Sequence, residues 1–449
     1  MRSILIFLLS IVFSLPLFAQ EELTLSKAIE IALHRNSSLQ QNENGIESYK
    51  ANVLAAYGNF LPSLGVGASW DWSRSDTKGV GTIIVGGIPV PSVATTTQSR
   101  NYQWNVGSSW TLFDGLSNIG TLSQSKNNLE SAEFSLDRLK QDIVFQTTSL
   151  YYDVINNQKL LKVKEDDLKW NEKNLETIRE RNKLGAATLA DVYQQEVAKG
   201  NAELQIIQTK NALETAKNNL FYYLGLDVMS DYKFSDELTQ EEQNTINSNL
   251  YDDYNNLSQY VEKALNNRPD YKSAQLDLKS SYNAVTIARS GHLPSLTLNG
   301  YYTWRGDNLS NIDNSKTLSF GLTLSVPIFR GWAIDNSVQY AEVNAKNKEI
   351  DLSDLQRNIK LQLNTTFLNL QAAQKGLKVS ESNVASAEEN LKIEQEKYSL
   401  GSGKLLDVLI ANSNYTTALT DLINAQFNYI VLSEQMKYYL GILDYSKFE

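Results

Sequence analysis

The sequence predicts an α+β chain in which four short strands accompany very long α-helices, with the whole pattern present twice. Three observations lead to this prediction. Four segments of about ten residues alternate apolar with small polar side chains, as strands with two different faces do. No proline occurs from Ser92 to Arg268 or after Pro327, so nothing there interrupts a helix. Matching motifs recur at fixed offsets along the chain.

The internal repeat rests on paired motifs. Leu-Pro-Ser-Leu at 61–64 recurs at 293–296, an offset of 232 positions. Phe-Asp-Gly at 113–115 matches Phe-Arg-Gly at 329–331, an offset of 216. An extra segment rich in Gly, Val and Thr, Val80 to Thr97, lies between the motifs of the first half and explains the change of offset. Two structurally equivalent halves follow from this arrangement.

The offsets divide the chain into segments. In residues 1–19 a basic start precedes a short apolar run and Ala19, which predicts a cleaved signal peptide rather than a membrane anchor. We then expect a first repeat over 20–228, a linker segment over 229–259 and a second repeat over 260–449.

The four predicted strands cover about 63–75, 101–113, 295–305 and 317–329. Their alternation suits both a soluble β-sandwich and a membrane β-barrel. The barrel is favoured because the runs have about the length that a tilted strand needs to cross lipid, and because six of the seven Trp residues lie in or beside them. The predicted membrane-interface aromatics are Trp70, Trp72, Tyr102, Trp104, Trp110, Tyr302 and Trp304.

The remaining sequence predicts two helical hairpins, about 116–224 with its tip near residue 185 and about 332–440 with its tip near residue 401. Apolar residues repeat every seven positions, which predicts coiled-coil packing. Each long helix would extend about 100 Å. Gly at 185 and 401 suits a helix end followed by a sharp reversal. The repeating apolar positions are Val154, Leu161, Leu168 and Leu175 in the first half, and Leu363, Leu370, Leu377, Val384, Leu391 and Tyr398 in the second.

Composition excludes several classes of function. The chain has 41 Lys and Arg against 51 Asp and Glu, so its net charge of −10 disfavours nucleic-acid binding. It has no Cys and two separated His, His34 and His292, so no metal site is expected. Neither a nucleotide-binding motif nor a catalytic constellation is present, and we expect no enzyme activity and no cofactor.

Four strands cannot close a barrel with a lumen, and open strand edges are not tolerated in lipid. Several chains must therefore share one barrel, eight strands from two chains or twelve from three. Eight-stranded barrels are filled by side chains, whereas larger ones hold water. The small polar faces of these strands favour the larger assembly without fixing its number.

Several of these motifs together resemble the TolC family of outer-membrane efflux and secretion channels. They are the start Leu23-Thr24-Leu25, the Leu-Pro-Ser-Leu strand openings, Leu112-Phe113-Asp114-Gly115, and the tips Lys183-Leu184-Gly185 and Tyr398-Ser399-Leu400-Gly401. The likeness covers the mature chain in order. It implies a homotrimer with a twelve-stranded outer-membrane barrel, continued by a periplasmic coiled-coil helical barrel. It further implies an equatorial domain, for which the 229–259 segment is the match. It also implies a periplasmic adaptor (membrane fusion) protein and an inner-membrane RND or ABC-type transporter as partners, with substrates conducted passively.

The candidate gate lies at the tips. Asp407 and Asp191 each follow a tip Gly by six residues, and three copies of Asp407 would form a ring that attracts cations. By resemblance Asp407 matches the family's constriction aspartate, and the second ring position is Ile410 here. The alternative for both aspartates is a solvated carboxylate in the first turn of a helix.

Resemblance also implies a network that closes the tips, in which Asp191 and Tyr398 match family positions. The usual basic partner falls at Gly403, and Lys404 beside it is a candidate substitute. Tyr398 also continues the seven-residue series, so it can serve in the coiled-coil core. The expected adaptor-docking positions are Leu184, Gly185, Leu400 and Gly401, with core burial as the alternative.

The rival function is a secreted or envelope-associated coiled-coil scaffold or adhesin whose strands form a soluble sandwich. An outer-membrane duct should instead fractionate with membranes. The sequence leaves open whether the substrate is a drug, a metal ion or a protein, and whether the 80–97 segment plugs the pore or binds a partner.

Overall fold

The computed structural model describes residues 22–79, 81–91, 94–229, 232–235 and 257–448. The predicted signal peptide and most of the predicted 229–259 segment lie outside the described residues. The helices are α1 (Leu25–Arg35), α2 (Ser37–Gly58), α3 (Ser117–Lys183), α4 (Leu189–Leu224), α5 (Leu257–Asn267), α6 (Pro269–Ser290), α7 (Ala333–Ser399) and α8 (Leu405–Tyr439). The strands are β1 (Glu22–Leu23), β2 (Ser63–Thr77), β3 (Thr82–Val85), β4 (Ile88–Pro91), β5 (Thr95–Phe113), β6 (Lys233–Phe234), β7 (Ser295–Gly306) and β8 (Ser315–Ser325).

The chain forms two compact units that cut across the two repeats. Of the described residues, the sheet unit comprises those within 45–133 and 273–353, and the helical unit comprises the others. Each unit takes segments from both halves of the sequence. In the sheet unit, β5, the second strand of the first half, pairs directly with β7, the first strand of the second half.

The sheet unit is built on one antiparallel sheet with strand order β2-β5-β7-β8. Residues opposite one another share a face, and the register places Trp70 opposite Tyr102 and Trp104 opposite Trp304. Tyr302 in turn lies opposite Leu318. One face of the sheet is therefore mostly apolar and aromatic, and the other carries mostly small and polar side chains.

Two strand boundaries differ from those predicted. The fourth strand ends at Ser325 instead of about residue 329, because Pro327 has no amide hydrogen to donate to the ladder. The second strand begins at Thr95, six residues early, and pairs with β2 as far as Thr77. The predicted 80–97 segment contains the short hairpin β3–β4, whose turn uses Gly86 and Gly87 at φ +62° and +85°.

Helices α3 and α7 have 67 residues each and begin 216 positions apart, at the offset of the motifs. Such a length corresponds to about 100 Å of helix. The seven-residue series is buried or half-buried throughout, with Val154 and Leu363 fully buried. Among the described helices, none carries a stretch long and apolar enough to cross a membrane.

The main core of the helical unit lies around the middle of α3. It packs apolar side chains of α1, α3, α4 and α8 with Leu23, Phe234 and Leu443. The parallel pair of β1 with β6 contributes Leu23 and Phe234. The residues that follow α8 are thus part of this core.

Candidate functional site: the hairpin tips

The first tip joins α3 to α4 in five residues, 184–188. Gly185 ends the helix at φ +74°, a conformation that favours glycine, and the amide of Ala186 donates to the carbonyl of Arg181 at 2.8 Å. The Asn182 side chain donates to the Ala187 carbonyl at 2.8 Å. Leu184 projects at the turn with 83% of its surface exposed. The first tip is therefore held by both backbone and side-chain hydrogen bonds.

Asp191 belongs to a capping box at the start of α4. Its amide donates to Thr188 Oγ1 at 3.1 Å, and its carboxylate accepts from the Thr188 amide at 2.8 Å and from the Thr188 hydroxyl at 2.7 Å. The carboxylate of Asp191 is therefore engaged in holding the helix start.

The second tip, residues 400–404, is built differently. Gly401 ends α7 at φ +76°, and the amides of Ser402 and Gly403 both donate to the carbonyl of Lys397, at 2.9 and 3.0 Å. Lys404 is the N-cap of α8, and its side chain makes no capping hydrogen bond. Leu400 is as exposed as its counterpart in the first tip.

Asp407 lies exposed in the first turn of α8, where the helix dipole favours a negative charge. No ion pair to its carboxylate occurs among the described residues. Ile410, three residues on and on the same helix face, is 51% exposed. This face continues along α8 with mostly polar, exposed residues: Ser413, Asn414, Thr417, Asp421, Asn424 and Asn428.

The basic partner of Tyr398 is Arg181, at the end of α3. Its guanidinium carbon lies 5.0 Å from the centroid of the Tyr398 ring, within reach of a cation–π contact. Its Nη1 and Nη2 donate to the carbonyls of Tyr398 and Ser399, both at 3.4 Å. A cation at these carbonyls also complements the negative end of the α7 dipole.

Arg181 was not among the predicted gate residues, because the position of the usual basic partner falls at Gly403, beside Lys404. Lys404, the candidate substitute, makes no ion pair with any of the described residues. The one available signal was a basic residue in the last turn of α3, which is common at helix ends. Tyr398 itself is half-buried, packed between the apolar clusters of both tips.

Below the tips, the second hairpin packs against the first. Leu405, 3% exposed, joins Leu175, Ile178 and Val192 in one apolar cluster. Leu189 occupies the equivalent position in the first hairpin, at the offset of 216, and is 56% exposed. The exposed apolar face of α4 comprises Leu189, Tyr193, Val197, Leu204 and Ile207.

The first hairpin contains a buried polar contact between its own helices. Gln195 Nε2 donates to the carbonyl and to the side-chain oxygen of Asn171, at 3.0 and 2.9 Å, and its Oε1 accepts from Asn174 at 2.7 Å. Both Gln195 and Asn171 are almost fully buried. The equivalent positions in the second hairpin are Ala411 and Ala387.

The predicted interface aromatics lie together on the apolar face of the sheet unit. The Tyr302 and Trp304 rings meet edge to face at 4.3 Å, and Trp110 Nε1 donates to the Phe60 carbonyl at 2.9 Å. Large side chains on this face are largely exposed, among them Trp70, Trp72, Trp104, Phe320 and Leu322. Within the described residues, no group of three His, Asp or Glu side chains could hold a metal ion.

Comparison with known proteins identifies the family. The sequence model of the outer membrane efflux proteins matches residues 28–226 and 260–441. The chain belongs to the outer membrane efflux protein family. This confirms the resemblance predicted from the motifs, and with it an outer-membrane location and a role in transport.

Two characterised relatives and one solved structure illustrate the similarity. Outer membrane protein TolC of Salmonella enteritidis is 22% identical over 421 residues, covering 91% of this chain and 80% of that protein. Protein CyaE of Bordetella pertussis is 23% identical over 405 residues, covering 89% and 80%. The outer membrane protein VceC of Vibrio cholerae has the same fold, with a TM-score of 0.79 at 19% identity over 93% of this chain and 96% of VceC.

Proposed function

We propose that this family member is the outer-membrane exit duct of an efflux or secretion system, conducting substrates passively through a shared barrel and a gated helical mouth. One observation carries the proposal: the four-stranded sheet exposes an apolar face, and its outer strands β2 and β8 each pair on one side only among the described residues. Unpaired strand edges are not tolerated in lipid, so further chains must complete the wall.

Three chains with twelve strands suit the polar face of the sheet. On that face Asn105 lies against Gly67 and the Tyr301 ring lies against Gly107, so some lumen-facing side chains fold over glycines on neighbouring strands. A twelve-stranded barrel would leave a water-filled bore, whereas eight strands would be filled by side chains. The interface aromatics would then lie at the boundary between lipid and water.

The helical hairpins support the same assembly. Within one chain, Leu405 of the second hairpin is buried against Leu175 of the first, whereas the equivalent Leu189 is 56% exposed. The site equivalent to Leu175 is Leu391 in the second hairpin. In a closed ring, Leu189 of one protomer would pack against Leu391 of the next, which would bury the apolar face of α4.

Cysteine cross-linking tests this arrangement cleanly, because the chain has no native Cys. Leu189→Cys combined with Leu391→Cys should give covalent dimers and trimers on oxidation, and nothing larger. The control, Leu175→Cys with Leu405→Cys, should link α3 to α8 within one chain and leave the monomer band. Cross-linked products of four or more chains would refute the trimer. If the control pair forms its link and the test pair does not, the contact between Leu189 and Leu391 of neighbouring chains is refuted.

We propose the hairpin tips as the gate. Three copies of Asp407 would form an acidic ring with an apolar ring at Ile410 next to it, so that cations concentrate at a narrow mouth. Arg181 would hold the mouth closed by fixing the end of α7, at Tyr398, against α3. Lys404 remains a candidate member of this gate, since a neighbouring chain could supply its partner.

The exposed tips are the proposed docking site for a periplasmic adaptor. Leu184 and Leu400 project beside Gly185 and Gly401, whose left-handed backbone makes each turn narrow. The energy for transport would come from an inner-membrane RND or ABC-type pump. Replacing Leu184 and Leu400 with Asp should abolish cross-linking to the adaptor in intact envelopes and leave trimer formation unchanged. Unaltered adaptor cross-linking would exclude these tips.

A further inference from the structure

On the apolar face of the sheet, three of the four strands end their apolar series in the same way. At the end away from the helices, the last large apolar side chains of β2, β5, β7 and β8 are Trp72, Tyr102, Trp304 and Leu318. Side chains alternate between faces, so the next position on this face lies two residues further from the helices. In β2, β5 and β8 that position holds a basic residue: Arg74, Arg100 and Lys316.

The register of the sheet brings these basic residues next to the aromatic ones. Arg100 lies directly opposite Trp72, and Lys316 lies directly opposite Trp304. Arg74 follows Trp72 on the same face of β2. Directly opposite residues have Cβ atoms about 5 Å apart. The three basic side chains therefore border the aromatic end of the apolar face, and we call Arg74, Arg100 and Lys316 the basic rim.

The basic rim is exposed, and its charge is neutralised only in part. Arg74 Nε donates to the Asp76 carboxylate at 3.1 Å, and Lys316 Nζ lies 3.6 Å from Asp313 Oδ2. All four side chains are exposed, and ion pairs at such sites contribute little. Arg100 is exposed as well and makes no ion pair with any of the residues that the structure describes. The rim therefore offers guanidinium and ammonium donors to an anion from outside the chain.

The helix end of the same face differs. There the positions two residues beyond the last apolar side chain of each strand are not basic: they are Pro62, Asp114, Pro294 and Val326. Arg330 comes only five residues after the end of β8. Aromatic residues occur at both boundaries of a membrane barrel, and Trp110 lies toward this end. A membrane boundary as such does not account for a basic rim at one end only.

The spacing of the rim suits a lipid headgroup. Two strand residues span about 7 Å. Aromatic girdles mark the level at which the headgroups begin, so a side chain about 7 Å further out lies among the headgroups. Arginine and lysine keep their charged ends in a polar layer while their aliphatic stems lie along apolar surface. A guanidinium group also matches the oxygens of a phosphate with two parallel hydrogen bonds.

From this arrangement we infer that the basic rim binds the phosphate groups of anionic lipid headgroups at the outer surface of the membrane. The inference rests on the proposed function, in which the helices lie on the periplasmic side and the rim therefore lies outside. A lipid is favoured over a free phosphate ion because the apolar face continues directly below the rim. Below Lys316 on β8, Leu318, Phe320 and Leu322 are all largely exposed and would lie along the acyl chains.

Quenching of tryptophan fluorescence by brominated lipids tests the rim. The full chain is reconstituted in phosphatidylcholine vesicles that contain either brominated phosphatidylcholine or brominated phosphatidic acid. Trp72 and Trp304 lie opposite Arg100 and Lys316, so their fluorescence reports which lipid occupies the rim. The wild type should bind phosphatidic acid about fivefold more tightly than phosphatidylcholine, the factor that one basic residue near an anionic lipid contributes.

Substitutions at the rim should remove this preference. Arg100→Gln combined with Lys316→Gln should lower the ratio of the two binding constants to about one. Arg100→Lys combined with Lys316→Arg keeps both charges and should keep the preference. The matched control is Arg305→Gln, because Arg305 is exposed at the same level of the sheet but lies on the polar face, where it donates to Gln103 at 2.9 Å. An equal loss of preference in Arg305→Gln would overturn the rim as the site.

The outcomes separate this inference from the proposed function. If both brominated lipids quench the wild type equally, the rim is overturned and the barrel stands. If neither lipid quenches the fluorescence, the sheet does not face lipid and the proposed function is contradicted. Inorganic phosphate should not compete more than potassium chloride of equal ionic strength does. Specific competition by inorganic phosphate would show a site for the free anion and overturn the lipid headgroup as the ligand.

Discussion

The two helical hairpins have nearly the same length and differ in how they are held. The first hairpin has a capped helix start at Thr188 and a buried Gln195–Asn171 contact between its helices. The second has an N-cap, Lys404, without a side-chain cap, and alanines where the first has the polar pair. At equivalent positions the second hairpin therefore lacks both polar features of the first, and it presents an exposed carboxylate at Asp407.

The two tip aspartates differ in whether their carboxylates are engaged in hydrogen bonds. Asp191 and Asp407 occupy equivalent positions, but the carboxylate of Asp191 accepts two hydrogen bonds from Thr188. Asp407 has no threonine at the N-cap, so its charge remains available to ions. Equivalent sequence positions therefore do not imply equivalent roles here.

The largest expected effect on stability concerns the polar pair of the first hairpin. Gln195→Ala leaves the buried Asn171 side-chain oxygen and the Asn174 amide without their partner, which should lower the free energy of unfolding by about 1–3 kcal/mol. Adding Asn171→Ala reproduces the alanines of the second hairpin and should restore part of this loss. Denaturant unfolding followed by far-ultraviolet circular dichroism measures both. If the losses of unfolding free energy in the two single variants simply add up in the double variant, this explanation is contradicted. Gln194→Ala is the control, because Gln194 is adjacent and exposed.

Asp407→Asn should weaken block by divalent cations by about tenfold, equivalent to about 1.4 kcal/mol, because the ring loses its charge. Single-channel recording in planar bilayers measures the block. The matched variant Asp191→Asn keeps an acceptor for the cap and should leave the block unchanged. Equal effects of the two substitutions would mean that the tips do not differ as the geometry indicates.

Arg181→Ala should increase the opening frequency several-fold, since it removes a cation–π contact worth about 0.5–1 kcal/mol together with two hydrogen bonds to the end of α7. Arg179→Ala is the control, because Arg179 pairs with Glu196 inside the first hairpin at 2.6 Å. A similar increase in both variants would indicate a general effect of charge.

The smallest effect is expected from a substitution that gives the second tip the N-cap residue of the first. Lys404→Thr places threonine three residues before Asp407, as Thr188 stands before Asp191, and should stabilise the start of α8 by about 0.5–1 kcal/mol. The new capping box would also draw the Asp407 carboxylate toward the helix start. Block by divalent cations should therefore weaken, but by less than in Asp407→Asn. Lys404→Ala removes the lysine without adding a cap, and block that changes equally in both variants would exclude capping as the cause.

Much of the local structure could be predicted from local signals. The absence of proline and the seven-residue series indicated α3 and α7, and the tip glycines marked their ends. The fourth strand was extended too far because alternation continued through Val326 and Ile328, although Pro327 stops the ladder. Alternation reports which face a side chain occupies, whereas strand pairing depends on backbone amides.

The contacts of Arg181 and Asp167 could not be predicted in the same way. Arg181 meets Tyr398, which lies 217 positions further along the chain, and Asp167 meets Asn412 after 245 positions. Hydrophobic periodicity indicates that a helix packs against something, but it does not identify the polar residues that meet across the interface.

Sequence alone determined the long helices and their tips, the four strands of the sheet apart from some of their ends, the tandem offsets and the family, because these depend on residue type and local spacing. Tertiary structure decided which aspartate is capped, which arginine holds the end of α7, and where α8 meets α3 through polar side chains. Those features depend on the register in which two long helices pack, and a register is set by the sum of many side-chain contacts along the whole interface.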